Sequence, residues 1–167
     1  MALNAYLKIT GSKQGIIKGS CIQRGKEGLI EVIAFDHEIT SPRDAATGQA
    51  SGKRQHQPLV VTKELDKSTT ALIQALIQNE TLSSFELKFF APNKLGTAGG
   101  QGAEFNHFTI RLKNASVTGI KTIMPNNKNP ELSKYAEYEE CSFVYEEIEW
   151  VWTLGSLTTN DSLKSNP

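Results

Sequence analysis

An alternation of apolar and polar residues with a period of two constrains this chain more than any other feature. Phe85, Leu87 and Phe89 alternate with Glu86 and Lys88, and Phe108, Ile110 and Leu112 alternate with Thr109, Arg111 and Lys113. Successive side chains of a strand point to opposite faces, so both runs predict strands buried on one side. Strands are predicted over Ala5–Thr10, Leu29–Ile39, Leu59–Lys63, Glu104–Lys113 and Val117–Met124, with a turn at Asn114-Ala115. In the last apolar run the parity changes. Cys141, Phe143 and Tyr145 share one face, whereas Ile148, Trp150, Trp152 and Leu154 share the other. One extra residue absorbed near Glu146-Glu147, as a bulge or a bend, would keep both sets inside. A long strand bent in this way suits a closed barrel. The alternative is a strand buried on different faces in different stretches.

One segment breaks the pattern. In 68–78, Leu72, Ile73, Leu76 and Ile77 recur at helical spacing, and Asp66 or Ser68 can cap the amino end. Residues 40–57 (TSPRDAATGQASGKRQHQ) form a polar, Gly- and Pro-punctuated loop; a loop of that length without a core of its own is usually functional or disordered. Residues 92–102 are Gly-rich and predict a flexible hairpin connection, and 156–167 predict a frayed tail. The expected organisation is one domain over 1–155 and a flexible tail over 156–167.

Charge excludes several classes. Eighteen Lys and Arg balance eighteen Asp and Glu, so no global field favours nucleic acid or an anionic membrane. The start, MALNAYLK, lacks the basic and apolar regions of a signal peptide, and no apolar run approaches the roughly 20 residues of a membrane span. Cys21 and Cys141 predict reduced thiols. His37, His56 and His107 lack metal-ligand spacing, and no C-x-x-C occurs. Gly96, Gly99, Gly100 and Gly102 lack the Lys-Ser/Thr of a phosphate-binding loop. No catalytic constellation and no cofactor site is visible.

The run Phe35-Asp36-His37-Glu38, Ser41-Pro42-Arg43-Asp44, Thr47-Gly48-Gln49 and Gly52-Lys53-Arg54-Gln55-His56 resembles the Hcp family of bacterial type VI secretion. So does its continuation, Pro58-Leu59-Val60-Val61-Thr62-Lys63-Glu64-Leu65-Asp66-Lys67-Ser68-Thr69. Gly19-Ser20, Glu27 to Val32 and Phe143-x-Tyr145-x-x-Ile148-x-Trp150 fit as well, so the likeness spans about 1–153. The Gly-rich insert at 94–102 and the acidic segment before the last strand depart from it. The resemblance implies a mainly β fold: a small closed β-barrel of two packed antiparallel sheets with one flanking α-helix and a long extended loop. It also implies homohexameric rings stacked into a tube inside a contractile sheath, like a phage tail tube. Such a tube is secreted on firing with a spike, without a signal peptide, and its lumen holds small effector proteins.

Rings join unlike patches of neighbouring subunits. On the family's pattern the extended loop places subunit and ring contacts at Pro42, Arg43, Asp44, Lys53, Arg54 and His56. Seven glutamates between 131 and 149 (131, 137, 139, 140, 146, 147, 149) face only Lys134 in sequence, while the loop carries Arg43, Lys53 and Arg54 against Asp44. Head-to-tail charge pairing is one expectation from this asymmetry. Thr109, Arg111, Ser116 and Thr118 are candidate lumen positions. A monomeric β-barrel ligand-binding module, with Trp150 and Trp152 as its stacking platform, is the alternative function.

Overall fold

The computed structural model describes residues 4–92 and 104–164. The Gly-rich 94–102 stretch therefore lies outside the described residues. In chain order the elements are β1 (Asn4–Gly11), β2 (Gly15–Ile17), β3 (Ile30–Val32), β4 (Ala34–Asp36), β5 (Ile39–Thr40), β6 (Gln55–His56) and β7 (Leu59–Glu64). Helix α1 (Ser68–Ile77) follows, then β8 (Thr81–Pro92), β9 (Glu104–Lys113), β10 (Ala115–Ile123), β11 (Tyr138–Val144), β12 (Glu147–Trp152) and β13 (Leu157–Ser162). All strand pairs are antiparallel.

Two sheets face each other across one core. The first runs β13-β12-β9-β8, with β1 on the far side of β8 and β3 beyond it; the second runs β10-β11-β7-β4. They join at both margins. Thr81 and Leu82 of β8 pair with Ser116 and Ala115 of β10. The 30–36 segment pairs first with β1 and then with β7, and the Ile33 amide donates to Thr62 O at 2.9 Å where it crosses. The predicted Leu29–Ile39 strand is thus split in three, because its pieces pair in turn with β1, β7 and β6.

The bend expected near Glu146-Glu147 lies at Tyr145-Glu146, and it has a companion. Asn114, at φ 49°, turns β9 into β10 at the same level. Asn tolerates this left-handed conformation better than most residues. The Glu146 amide donates to Lys113 O at 3.1 Å, and Asn114 Nδ2 donates to Glu146 Oε2 at 2.8 Å. Two neighbouring strand courses therefore leave one sheet for the other side by side. This is why Cys141, Phe143, Tyr145 and Ile148 are all buried despite their change of parity. Phe85 and Phe143 meet across the core edge-to-face, with ring centroids 5.0 Å apart.

Helix α1 starts where Asp66 Oδ1 accepts the Ser68 amide at 2.9 Å. Its buried stripe is Ser68, Leu72 and Ala75. The expected face of Leu72, Ile73, Leu76 and Ile77 is rotated: Leu76 packs only partly on the core and Ile77 is exposed. Small residues at 68 and 75 bring the helix backbone close to the barrel, which a stripe of four large side chains would prevent.

The frayed tail expected from 156 is corrected over 157–162. β13 pairs with all of β12, from Glu147↔Ser162 to Trp152↔Leu157. Gly155 at φ 83° and Ser156 at φ 52° make the tight turn. Gly-Ser after a strand was the available hairpin signal, hidden by the low apolar content of 157–162.

Candidate assembly surface

Residues 39–56 form a projecting hairpin. β5 and β6 pair at its base through Ile39↔His56 and Thr40↔Gln55, and Arg43 bridges to Ala50 further out. Asp44 shapes the tip: its Oδ1 accepts the amides of Ala46 (2.9 Å) and Thr47 (2.7 Å) and the Thr47 hydroxyl (3.0 Å). These bonds, led by the Thr47 amide, hold the Asp44 carboxyl below its usual range. Gly48 takes φ 70° to close the turn. Pro42, Arg43, Asp44 and Lys53 lie along this arm.

Arg54 and His56 serve a different purpose. Arg54 clamps Asp161 of β13 through its guanidinium and donates to Ser162 O at 3.3 Å. His56 is nearly sealed from solvent, with Nε2 2.8 Å from Asp161 Oδ2 and Nδ1 2.8 Å from the Tyr145 hydroxyl. His37, just after β4, reaches the same hydroxyl with Nε2 at 2.7 Å. Burial pushes the Tyr145 hydroxyl well above its usual range. Of the six expected contact residues, these two thus face inward within their own chain and root the arm. Sequence reasoning missed this cluster because its members, His37, Arg54, His56, Tyr145 and Asp161, are scattered over four separate segments.

Part of the Thr62-to-Thr69 run also faces inward: Lys63 and Ser68 are buried, while Glu64, Leu65 and Lys67 are exposed. Lys63 and Glu139 are cross-strand partners on β7 and β11, 2.6 Å apart and wholly buried. Lys63 Nζ also donates to Asp66 Oδ1 (2.9 Å), Thr69 Oγ1 (3.2 Å) and Glu64 O (2.9 Å). Burial raises the Asp66 carboxyl, but hydrogen bonds from Ser68 and Lys63 outweigh it and hold the group below its usual range. Beside them the Cys141 thiol is pushed up to about 12 by burial and by the Glu139 charge. Such a thiol is inert at neutral pH.

Much of the acidic 131–149 segment is neutralised within the chain. Besides Glu139, Glu147 pairs with Lys113 (2.6 Å), Glu146 with Lys164 (2.8 Å) and Glu149 with Arg111 (3.0 Å). Among the described residues no group of three or more His, Cys, Asp or Glu could hold a metal ion. No described helix is long and apolar enough to cross a membrane.

A protein-family model described as "Type VI secretion system effector, Hcp" matches residues 6–152, most of the chain. The chain belongs to the Hcp family. It is 32% identical to the "Major exported protein" of Pseudomonas aeruginosa over 99% of this chain and 98% of that protein. A solved structure described as an Hcp protein superposes with a TM-score of 0.87 at 29% identity, over 99% of this chain and 100% of its own. A doubly substituted Hcp1 from Escherichia coli gives 0.82 at 30% identity, over 96% and 99%. Hcp membership places the chain in the type VI secretion system, among secreted, self-associating proteins.

The candidate lumen positions of this Hcp-family chain divide. Thr109 is buried and takes a bond from Asn106 Nδ2 at 2.8 Å, so it is not a surface position; the correction follows from the fold of β9 under its neighbours. Arg111 bridges Glu86 and Glu149 at 3.0 Å each, spanning β8, β9 and β12. Ser116 is half-buried, and Thr118 is exposed and donates to Ser142 O at 3.3 Å. Elsewhere large apolar side chains face solvent. Trp152 and Leu157 flank a shallow cleft with Phe108 and Trp150. Ile33, Leu132 and Tyr135 line a more apolar cleft of about 490 Å³.

Proposed function

We propose that this chain is the repeating subunit of a type VI secretion inner tube, a structural protein rather than an enzyme. Six copies form a ring through unlike patches, and rings stack into a tube within the sheath, below the spike. The observation that carries this reading is the 39–56 hairpin. An arm of 18 residues is rooted by a buried polar network, while Pro42, Arg43 and Asp44 stand clear of the barrel. A rigid root under an outward arm is what contact with a neighbouring subunit needs, because a pre-ordered segment loses little entropy on docking. The exposed Trp152, Leu157 and Ile77 supply apolar area for the same purpose. Small effector proteins are bound loosely in the lumen, for which Arg111, Ser116 and Thr118 remain the candidates.

Native mass spectrometry with negative-stain imaging of the same sample tests the proposal. Six-fold mass and annular particles support it. A strict monomer over a wide concentration range overturns it and favours the ligand-binding barrel, whose platform would be the Trp150–Trp152 cleft.

A further inference from the structure

The polar cluster at the hairpin root has a proton arrangement that can be worked out group by group. In its neutral form every bond is satisfied once. His56 donates Nε2–H to Asp161 and accepts the Tyr145 O–H at Nδ1, and His37 donates Nε2–H to the Tyr145 oxygen. A proton added to His56 turns Nδ1 into a donor. The Tyr145 hydroxyl then has His37 as its acceptor, which His37 provides by carrying its own hydrogen on Nδ1. A second proton, on His37, removes that acceptor. Both imidazolium rings then donate to one oxygen, the Tyr145 hydroxyl hydrogen has no partner, and two cations sit with ring centroids 6.3 Å apart.

We propose that the His37–Tyr145–His56–Asp161 relay is an acid-sensitive latch on the root of the 39–56 hairpin, and that its second proton frees the β5 leg. The groups facing the relay come from every side: Asp36 on β4, Arg54 before β6, Tyr145 at the bend and Asp161 on β13. Arg54 holds the Asp161 carboxyl below its usual range, so the anion persists at mildly acidic pH and keeps hold of His56. The weak point is therefore the His37–Tyr145 contact. Burial, and then the charge on His56, lowers the proton affinity of His37 in the closed form. An open hairpin exposes His37 to water and removes that penalty. The closed form is thus fully favoured above the ordinary imidazole range and loses ground as the pH falls toward the closed-form value. The latch is a property of the single chain and stands apart from the assembly reading.

Hydrogen exchange of the purified chain tests it, with rates corrected for the intrinsic effect of pH. The Gln57 amide, which donates to Glu38 O at 2.9 Å, reports on the root. Its protection is expected to fall severalfold between about pH 7.5 and about pH 5, while the β7 and β11 amides hold. His37→Gln keeps an N–H donor but takes no second proton, and its protection is expected to stay level across the range. Tyr145→Phe, which has no hydroxyl to latch, is expected to show low protection at both values. Equal protection of the unaltered chain at both pH values overturns the proposal, as does a loss that persists in His37→Gln. If either variant fails to fold, the unaltered chain and the other variant still decide the matter.

Discussion

Lys63 Nζ lies 2.6 Å from Glu139 Oε1 between two strands, and neither side chain reaches solvent. Lys63→Met strands the Glu139 charge in the core, whereas Lys63 without Glu139 still holds Asp66 Oδ1 at 2.9 Å. Lys63→Met alone is expected to cost about 3–5 kcal/mol in urea unfolding, and adding Glu139→Leu is expected to recover part of it. A Lys63→Met variant as stable as the unaltered chain would show that the pair is solvated.

Reversing charge on the arm separates assembly from folding. Arg54 belongs to the root, so Arg43→Glu is the informative change. The variant is expected to keep its melting temperature while losing rings and stacks in native mass spectra and images. Intact assembly would remove the Arg43 charge from the contact.

Ending the chain at Ser156 removes β13 and with it Asp161. The cost is expected to be about 2 kcal/mol or more in urea, since each ladder bond contributes about 1 kcal/mol net. An unchanged midpoint would mean that 157–162 contributes nothing to the fold.

The two thiols are expected to react at different rates. Cys21 is half-exposed, while Cys141 is buried with its thiol pushed up to about 12. A colourimetric thiol reagent near pH 8 is expected to titrate one group in the folded chain and the second only in denaturant. Two fast equivalents would contradict the buried Cys141.

Acid will weaken the fold through Asp66, Asp161 and Glu86. Each carboxyl is held below its usual range: Asp161 chiefly by Arg54, Asp66 and Glu86 by hydrogen-bond partners that outweigh burial. The unfolded chain therefore binds these protons first. Their contribution is complete above the ordinary carboxylate range and is lost as the pH falls through the lower folded values. A urea midpoint that stays level from about pH 6 to about pH 3 would contradict this sign.

Strands whose alternation was regular could be read from the sequence to within a residue or two: β1, β7 and β9 are where Ala5, Leu59 and Phe108 placed them. The parity change after Tyr145 located the bend because the core admits only apolar side chains. Other features depended on distant partners. Nothing local to Leu157–Ser162 marks a strand; it forms because β12 presents an open edge one tight turn away. Charge counting along 131–149 suggested an acidic surface open to head-to-tail pairing, but Lys113, Lys164, Arg111 and Lys63 come from elsewhere in the same chain to meet much of it. Arg54 and His56 looked like surface contacts for the same reason: their partner, Asp161, is about 105 residues away.

The paired bends at Asn114 and Tyr145-Glu146 have a mechanical meaning. Where sheets are held only by interlocked side chains such as Phe85 and Phe143, sliding one over the other breaks weak contacts singly. Here two covalent backbones, tied to each other at the corner, run from one sheet into the other. A thrust on either sheet is passed along peptide bonds, so the barrel moves as one stiff block.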